Sequence, residues 1–144
     1  MDFKELLLRQ AKNFPNKPAI IFRERKISFS SLKNSSFKIA NYLKKKGIKK
    51  EKKVAVFLPN TSETVCVYLS ILSLGAVLVP FDFMLTEEEI INLVNHSEAE
   101  ILIIQPKKGL NLENIRKACF NLREIIVYGE KIPPFLSLED IFRK

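Results

Sequence analysis

The side chains that could act in acid–base catalysis are few and stand apart in the 144-residue sequence. His96 is the single histidine, and its nearest carboxylate in sequence is Glu98, whereas a general base needs a positioned partner. Its place at the end of a predicted helix favours an ordinary C-terminal helix residue. Asp82 follows a predicted strand and is the best-placed acid at the carboxyl end of a sheet, but one acid supports no mechanism.

The two cysteines lack the spacing of a metal or redox site. Cys66 lies within an apolar stretch and Cys119 near the end of a predicted helix, and neither has a flanking histidine or a CxxC partner. Two cysteines are also too few for a disulfide framework or a zinc site. We expect two buried thiols, and a reducing cytoplasm is the expected compartment of this lysine-rich chain.

Anion- and metal-binding motifs are missing as well. The acids Glu87–Glu89 open a predicted helix and point in different directions, which favours helix-start electrostatics. The loop Leu58–Ser62 contains no glycine, so it forms neither a dinucleotide fingerprint nor a Walker loop. The helix that opens at Thr61 could hold an anion, but an ordinary cap is the simpler interpretation. The sequence thus predicts no catalytic, cofactor-binding or metal-binding residue.

Helical and extended patterns alternate in the first third of the chain. A helix is predicted over residues 2–14, followed by a hairpin of strands Ala19–Phe22 and Lys26–Phe29. Ser30 can cap the next helix, which Gly47 ends. The apolar face of that helix is predicted to consist of Leu32, Ser36, Ile39, Ala40 and Leu43.

Four apolar runs with helices between them follow, as is typical of a parallel sheet with both faces covered. The predicted strands are Val54–Leu58, Ala76–Pro80, Ile101–Ile104 and Glu124–Tyr128. The fold class is therefore α/β, a partial doubly wound, mostly parallel sheet of about four strands with flanking helices, preceded by a β-hairpin and helix. Residues 1–53 and 54–144 are expected to form the two parts of one incomplete subdomain.

Cap signals place the helices between these strands. Asn60 with Glu63 and Thr86 with Glu89 have the spacing of capping boxes, and Gly75 ends the first of the two helices. A third helix is predicted over Leu112–Phe120. The second helix is predicted to use Ile90, Ile91, Leu93 and Val94 as its apolar face.

The uncharged stretch Thr64–Phe81 reaches the lower length limit of a membrane helix. It contains Pro80 and ends in β-branched residues, so a buried helix followed by a buried strand explains it better. Within the core we expect four residues to be buried: Val56, Leu69, Val79 and Ile103.

The net charge of +8 is unevenly distributed. Residues 1–53 carry 16 Lys or Arg against 4 Asp or Glu, whereas residues 54–144 carry 8 against 12. The run Lys44–Lys53 could attract nucleic acid, anionic lipid or a polyanionic cofactor. The run contains no arginine, and Tyr42 is the one aromatic residue beside it. A solvated helix end followed by a lysine-rich loop therefore explains the run better, and nucleic acid is not the expected partner.

Several motifs, in order, resemble the adenylate-forming (AMP-binding) acyl-CoA synthetase family, which includes the fatty-acid–CoA ligases. The family patterns are P-x-A…TYxEL, V-A-x-x-L-x-N-s, L-G-A-V-x-V-P and L-T-x-x-E-L…h-S-x-A. The corresponding stretches here are Lys17–Ile20 with Ile27–Leu32, Val54–Thr61, Leu74–Pro80, and Leu85–Ile90 with His96–Ala99. Two positions depart from the family: Ser31 replaces the glutamate of TYxEL, and Glu51–Lys52 replaces a Gly-Asp pair.

The resemblance implies the N-terminal part of an enzyme that joins a carboxylate to coenzyme A with ATP and magnesium. The family's ATP-gripping loop, which ends in Pro-Lys-Gly, and its catalytic lid lysine have no counterpart in these residues. The expected role of these residues is that of a scaffold, and their expected partner is the remainder of the enzyme chain. Self-association through the exposed sheet is also expected. The fatty or other carboxylic acid is expected to be a substrate of the whole enzyme only. A cytoplasmic location is expected, with peripheral membrane association left open. The alternative is a free-standing basic α/β module that binds nucleic acid or anionic lipid.

Overall fold

A computed structural model describes residues 2–143. The helices are α1 (Phe3–Asn13), α2 (Phe29–Lys45), α3 (Ser62–Ser73), α4 (Glu87–Ser97), α5 (Leu112–Ala118) and α6 (Leu138–Phe142). The strands are β1 (Pro18–Phe22), β2 (Arg25–Ser28), β3 (Lys53–Phe57), β4 (Val77–Pro80), β5 (Ile101–Ile104), β6 (Glu124–Val127) and β7 (Leu136–Ser137).

These elements form two compact units that are not consecutive in sequence. The N-terminal unit consists of residues 2–50 and 60–76, and the sheet unit of residues 51–59 and 77–143. The N-terminal unit thus contains α1, β1, β2, α2 and α3, and the sheet unit contains the remaining elements. The division of the chain at residue 53 stays a prediction.

The predicted hairpin is confirmed in the N-terminal unit. β1 and β2 pair antiparallel, with Phe22 opposite Arg25, so Arg23 and Glu24 form a two-residue turn. Arg23 supplies the positive φ (57°) that such a tight turn needs, although the sequence offers no glycine there. The predicted first helix is also confirmed, and Asp2 caps it by accepting a hydrogen bond from the backbone N–H of Glu5.

The predicted cap of α2 at Ser30 is wrong. Ser28 is the N-cap, and its Oγ accepts a hydrogen bond from the backbone N–H of Ser31 at 3.1 Å. Ser28 is the last residue of β2 and still has an extended backbone, so the helix begins at Phe29, which was predicted as strand. The helix face is confirmed, with all five predicted side chains buried, and Gly47 follows the helix with φ of 89°.

The predicted capping box of Asn60 and Glu63 at the start of α3 is wrong as well. Thr61 is the N-cap, and its Oγ1 accepts a hydrogen bond from the backbone N–H of Thr64. The Glu63 carboxylate instead accepts a hydrogen bond from the Ser62 hydroxyl at 3.0 Å. The cap falls on the residue directly before the helix, because that residue has the extended backbone that a cap requires.

The uncharged stretch 64–81 folds as the predicted helix and strand. It forms most of α3, the turn at Gly75 with φ of 71°, and β4. Among residues 2–143, no helix has the length and apolar character needed to cross a membrane.

The sheet unit contains a five-stranded parallel sheet in the order β4-β3-β5-β6-β7. The four strands predicted from the sequence are present, and the two-residue β7 is an addition at the edge. The predicted fold class is confirmed with five strands in place of about four. The capping box of Thr86 and Glu89 is also confirmed.

One face of this sheet forms the core of the unit with α4 and α5. Alternate strand residues pack there against buried side chains of the two helices; the strand residues are Ala55, Phe57, Leu102, Ile104, Ile125 and Val127. The helical side chains are Ile90, Val94, Leu112 and Ile115. The opposite-facing residues of β3 and β5 are buried too, as expected for strands of a doubly wound sheet.

Some predicted core positions are less buried than expected. Val56 and Ile103 are buried as predicted. Val79 is half-buried because, among residues 2–143, β4 has a strand neighbour on one side only. Leu69 is half-buried because it lines an open groove. Leu93 of α4 is 40% exposed, since the apolar face of α4 is narrower than predicted.

The predicted end of α5 at Phe120 is two residues too late. Cys119 has an extended backbone (φ −104°, ψ 108°), so the helix ends at Ala118. The Phe120 side chain is left 89% exposed.

Candidate functional site

Lys107 makes several contacts at the carboxyl edge of the sheet. It lies in the loop after β5, and its Nζ donates a hydrogen bond to the backbone carbonyl of Phe83 in the loop after β4. The same Nζ lies 5.4 Å from the ring centroid of Phe57 and 5.0 Å from that of Phe83. The two rings are 4.8 Å apart, so the lysine caps an aromatic pair. This arrangement holds two loops of the sheet edge together.

The acids predicted near this edge take structural roles. Asp82 is exposed, and its Oδ1 accepts a hydrogen bond from the backbone N–H of Met84 at 2.8 Å, which shapes the loop before α4. The Glu87 carboxylate accepts a hydrogen bond from the backbone N–H of Asn111, and so connects the starts of α4 and α5. Glu89 completes the capping box with Thr86. Each of these three carboxylates therefore accepts a hydrogen bond from a backbone N–H.

A cleft of about 530 Å³ lies beside the same edge, between the loops that follow β5 and β6. Its charged lining consists of Lys107, Lys108, Glu113 and Glu130. Glu113 is paired with Arg116, whose guanidinium lies 2.8 Å away and holds the pKa of that carboxyl below its ordinary value. The cleft combines two amines and two carboxylates with apolar walls, and its lining residues include no histidine or cysteine.

The thiols and the histidine stay apart from this cleft. Cys66 and Cys119 are buried, as predicted, and neither forms a disulfide. Burial raises the pKa of the Cys66 thiol to about 11, and it raises that of Cys119 as well. Both thiols are therefore protonated at neutral pH and poor nucleophiles. His96 lies exposed in the last turn of α4, where the sequence placed it.

At the opposite edge of the sheet, Glu100 joins the amino ends of three adjacent strands. Its carboxylate lies 3.2 Å from Lys52 Nζ, before β3, and 3.0 Å from Arg123 Nε, before β6. Partial burial opposes ionisation of Glu100, but the two cations outweigh it and hold the pKa of the carboxyl below its ordinary value. The cluster is a structural clamp, since one carboxylate pairs with cations from two neighbouring segments of the sheet edge.

The described residues do not fit an ATP or magnesium site. Pro106–Gly109 contains proline, lysine and glycine, but Ile104 and Gln105 precede it in place of a Ser/Thr/Gly-rich loop. Within residues 2–143, no three His, Cys, Asp or Glu side chains come close enough to hold a metal ion. No step of adenylation is therefore assigned to a side chain of this chain.

The motifs along the chain match one known family over almost the full length. Residues 7–140 match a family model described as AMP-binding enzyme. The chain belongs to the AMP-binding enzyme family. The predicted resemblance is thereby confirmed.

Relatives within the AMP-binding family include both ligases and peptide synthases. The long-chain-fatty-acid–CoA ligase of Bacillus subtilis (strain 168) is 31% identical over 100 residues, which are 69% of this chain and 18% of the ligase. Bacitracin synthase 2 of Bacillus licheniformis is 30% identical over 103 residues, or 72% of this chain and 4% of the synthase. The chain therefore spans less than a fifth of either relative.

Solved structures of AMP-binding enzymes share this fold. An anthranilate CoA ligase in complex with anthranoyl-AMP superposes with a TM-score of 0.89 at 26% identity, over 99% of this chain and 28% of the ligase. Coronafacic acid ligase from Pectobacterium brasiliense superposes with a TM-score of 0.88 at 26% identity, over 100% of this chain and 30% of the ligase. The hairpin, the helices and the parallel sheet are thus a family architecture.

Lys107 was not singled out by the sequence. The available signal was its place directly after the apolar run of β5, at the carboxyl end where ligand-facing loops of such sheets lie. Its partners, Phe57 and Phe83, are more than 20 residues away in sequence, so only the folded chain brings them together.

Proposed function

We propose that this chain is the N-terminal scaffold of an AMP-forming acyl-CoA synthetase. Such an enzyme converts a carboxylate, ATP and coenzyme A into acyl-CoA, AMP and pyrophosphate. The observation that carries the proposal is the family match over residues 7–140 together with the long-chain-fatty-acid–CoA ligase of Bacillus subtilis as a relative. ATP, magnesium and coenzyme A would be bound by residues outside this chain.

The contribution of the chain itself is structural in this proposal. The parallel sheet is clamped at its amino edge by Glu100 and at its carboxyl edge by the Lys107 contact with Phe83. Rigid elements of this kind hold neighbouring segments of an enzyme in place, and precise placement of reacting groups contributes strongly to rate. The fatty or other carboxylic acid would meet the whole enzyme, and a cytoplasmic location fits the two buried, reduced thiols.

A second candidate is an adenylation domain of a peptide synthase, because bacitracin synthase 2 is also a relative. The two candidates share the activation of a carboxylate by ATP and differ in the acid and in the acceptor of the acyl group. The acids to be compared are therefore fatty acids, aromatic acids and amino acids.

Isolation of the native protein tests the proposal. An antibody raised against this chain is used to purify the native polypeptide from cells that make it, and pyrophosphate release is measured with ATP, magnesium and each acid. We expect a polypeptide several times larger than 16.6 kDa that forms a coenzyme A thioester with fatty acids. Release with amino acids alone, without thioester formation, would favour the peptide-synthase candidate. A native polypeptide of 16.6 kDa that releases no pyrophosphate with any acid would overturn both.

A further inference from the structure

The positive charge of the protein resides in the N-terminal unit. Residues 1–50 and 60–76 carry 14 Lys or Arg against 4 Asp or Glu, a net charge of +10. The rest of the chain carries 10 against 12, a net charge of −2. Between Arg25 and Lys50 there is no acid at all, and α2 has none in its first turn. A surface of this kind attracts polyanions and anionic interfaces.

The same unit exposes large apolar side chains on α1. Phe3 is 48% exposed and Leu6 is 39% exposed. The two residues are three positions apart on α1, so their side chains lie on the same side of the helix. They form one wall of an open apolar groove of about 290 Å³. The groove is lined by Phe3, Leu6, Leu7, Gln10, Phe29 and Leu69, so its walls come from α1, α2 and α3.

Cations flank the walls of this groove. Arg9 is one helical turn beyond Leu6 on α1, and Lys33 is one turn beyond Phe29 on α2. Gln10 is the one polar side chain among the lining residues. α1 and its cap also carry the acids Asp2 and Glu5, so the positive charge of this region comes from the excess of Lys and Arg over the N-terminal unit as a whole.

We propose that this groove docks on the surface of an anionic lipid bilayer. Exposed Phe and Leu side chains can enter the boundary between headgroups and acyl chains, while Lys and Arg contact the lipid phosphates. The observation that selects this occupant is charge complementarity. The unit that contains the open apolar groove has a net charge of +10, and an anionic bilayer combines a negatively charged surface with an apolar interior.

Two other occupants match the groove less well. A second copy of the chain would bring two N-terminal units of net charge +10 together, which costs free energy by repulsion. Nucleic acid would satisfy the lysines but would leave the apolar walls in water. Stacking on successive bases uses several aromatic side chains, and Tyr42 alone accompanies the lysine run in the sequence.

Vesicle flotation tests the proposal with the chain itself and with the native protein. Vesicles of phosphatidylcholine alone are compared with vesicles that contain about 30 mol% phosphatidylglycerol. We expect flotation with the anionic vesicles only, and weaker flotation as salt rises from about 0.05 to 0.5 M. The variant Phe3→Ser/Leu6→Ser should reduce the partition coefficient about tenfold or more.

Matched controls separate the groove from general stickiness and from general charge. Phe120→Ser removes a more exposed aromatic ring from the sheet unit and should leave flotation unchanged. Arg9→Gln/Lys33→Gln should weaken flotation, whereas Lys108→Gln/Lys117→Gln, which removes the same charge from the sheet unit, should not. Circular dichroism checks that each variant keeps its helices.

Three results would overturn the proposal. The first is equal flotation with neutral and anionic vesicles. The second is unchanged flotation of folded Phe3→Ser/Leu6→Ser, and the third is flotation of the chain but not of the native protein, which would mean that another segment of the enzyme covers the groove. Binding of duplex DNA as tight as binding of anionic vesicles, and insensitive to Phe3→Ser/Leu6→Ser, would identify a general polyanion surface instead.

Discussion

The Nε atom of Arg123 lies 3.0 Å from Oε1 of Glu100, directly before two neighbouring strands of the parallel sheet. The other oxygen of the same carboxylate faces Lys52 at 3.2 Å. One carboxylate thus joins the amino ends of β5, β6 and β3, while backbone bonds from Glu100 to Lys53 and from Arg123 to Glu100 extend the ladder there. The ionised form of Glu100 is the form that stabilises this edge.

Glu100→Gln should therefore lower stability in a pH-dependent way. The lowered pKa of the Glu100 carboxyl means that its contribution is fully present above about pH 5 and is lost as pH falls through the folded-state value. Because the pair is partly solvated, the expected loss at pH 7 is about 0.5–1 kcal/mol. Urea unfolding at pH 7 and at about pH 3 measures it, and the difference from the unsubstituted protein should be smaller at the lower pH, where protonation of the Glu100 carboxylate has begun to remove its contribution.

Glu98→Gln provides the matched control, since Glu98 is exposed and lies outside the clamp. It should change stability little at either pH. An equal loss for both variants at pH 7 would show that the clamp contributes nothing beyond general charge.

Two helix caps should respond in opposite ways to removal of their hydroxyl groups. The Thr86 Oγ1 accepts a hydrogen bond from the Glu89 backbone N–H, and the Thr86 backbone N–H donates one to the Glu89 carboxylate in return. Thr86→Ala should therefore cost about 1 kcal/mol. Ser137 caps α6 by position, but in the described part of the chain its buried Oγ has no hydrogen-bond partner. Ser137→Ala should leave stability unchanged or raise it by up to about 1 kcal/mol. Denaturant titration of both variants measures the free energy of unfolding. A loss of unfolding free energy for Ser137→Ala similar to that for Thr86→Ala would contradict the structure.

Core truncations should distinguish the sheet centre from the groove. Ile103 is fully buried at the centre of β5, so Ile103→Ala should cost about 2–5 kcal/mol. Leu69 lines the open groove and is only half-buried, so Leu69→Ala should cost clearly less, under about 2 kcal/mol. Equal losses in urea unfolding would mean that the groove is closed in solution.

The free edge of β4 should drive self-association of the isolated chain. β4 has β3 as its neighbour on one side and no strand on the other within the described residues, and Val77 is 41% exposed. Such an edge favours pairing with a second copy, and the net charge of +8 opposes this less as salt rises. Sedimentation at about 0.05 and 0.5 M salt should show a dimer or larger species, more so at high salt.

Val77→Lys places a charge on that edge and should shift the chain towards the monomer. Phe120→Lys, which charges an exposed site outside β4, should not. A strictly monomeric chain at both salt concentrations and tens of micromolar protein would show that β4 is protected.

Most of the helices and strands could be predicted from the sequence because they carry a local signal. The continuous apolar runs of β3 and β5 are read directly as buried strands, and Gly47 and Gly75 mark helix ends where φ is positive. The caps at Ser28 and Thr61 were missed by one or two residues, because several neighbouring residues could cap and only the backbone conformation selects one.

Features that depend on distant residues could not be predicted. β7 has only two residues and forms by pairing with β6, so its own sequence has no strand period. The Lys107 contacts with Phe57 and Phe83 and the Glu100 clamp join residues that only the sheet brings together. The half-burial of Val79 follows from the place of β4 at the edge, which the order of strands along the chain does not reveal.

Pyrophosphate release by equal molar amounts of the isolated 144-residue chain and of the native protein tests the central claim most directly. The chain is proposed to be scaffold, without the phosphate-binding loop and the lid lysine that the family uses. With ATP, magnesium and a panel of fatty acids, the native protein should release pyrophosphate and the isolated chain should stay at background. Release that scales with the amount of the isolated chain would contradict the account, as would a native protein that activates no carboxylic acid.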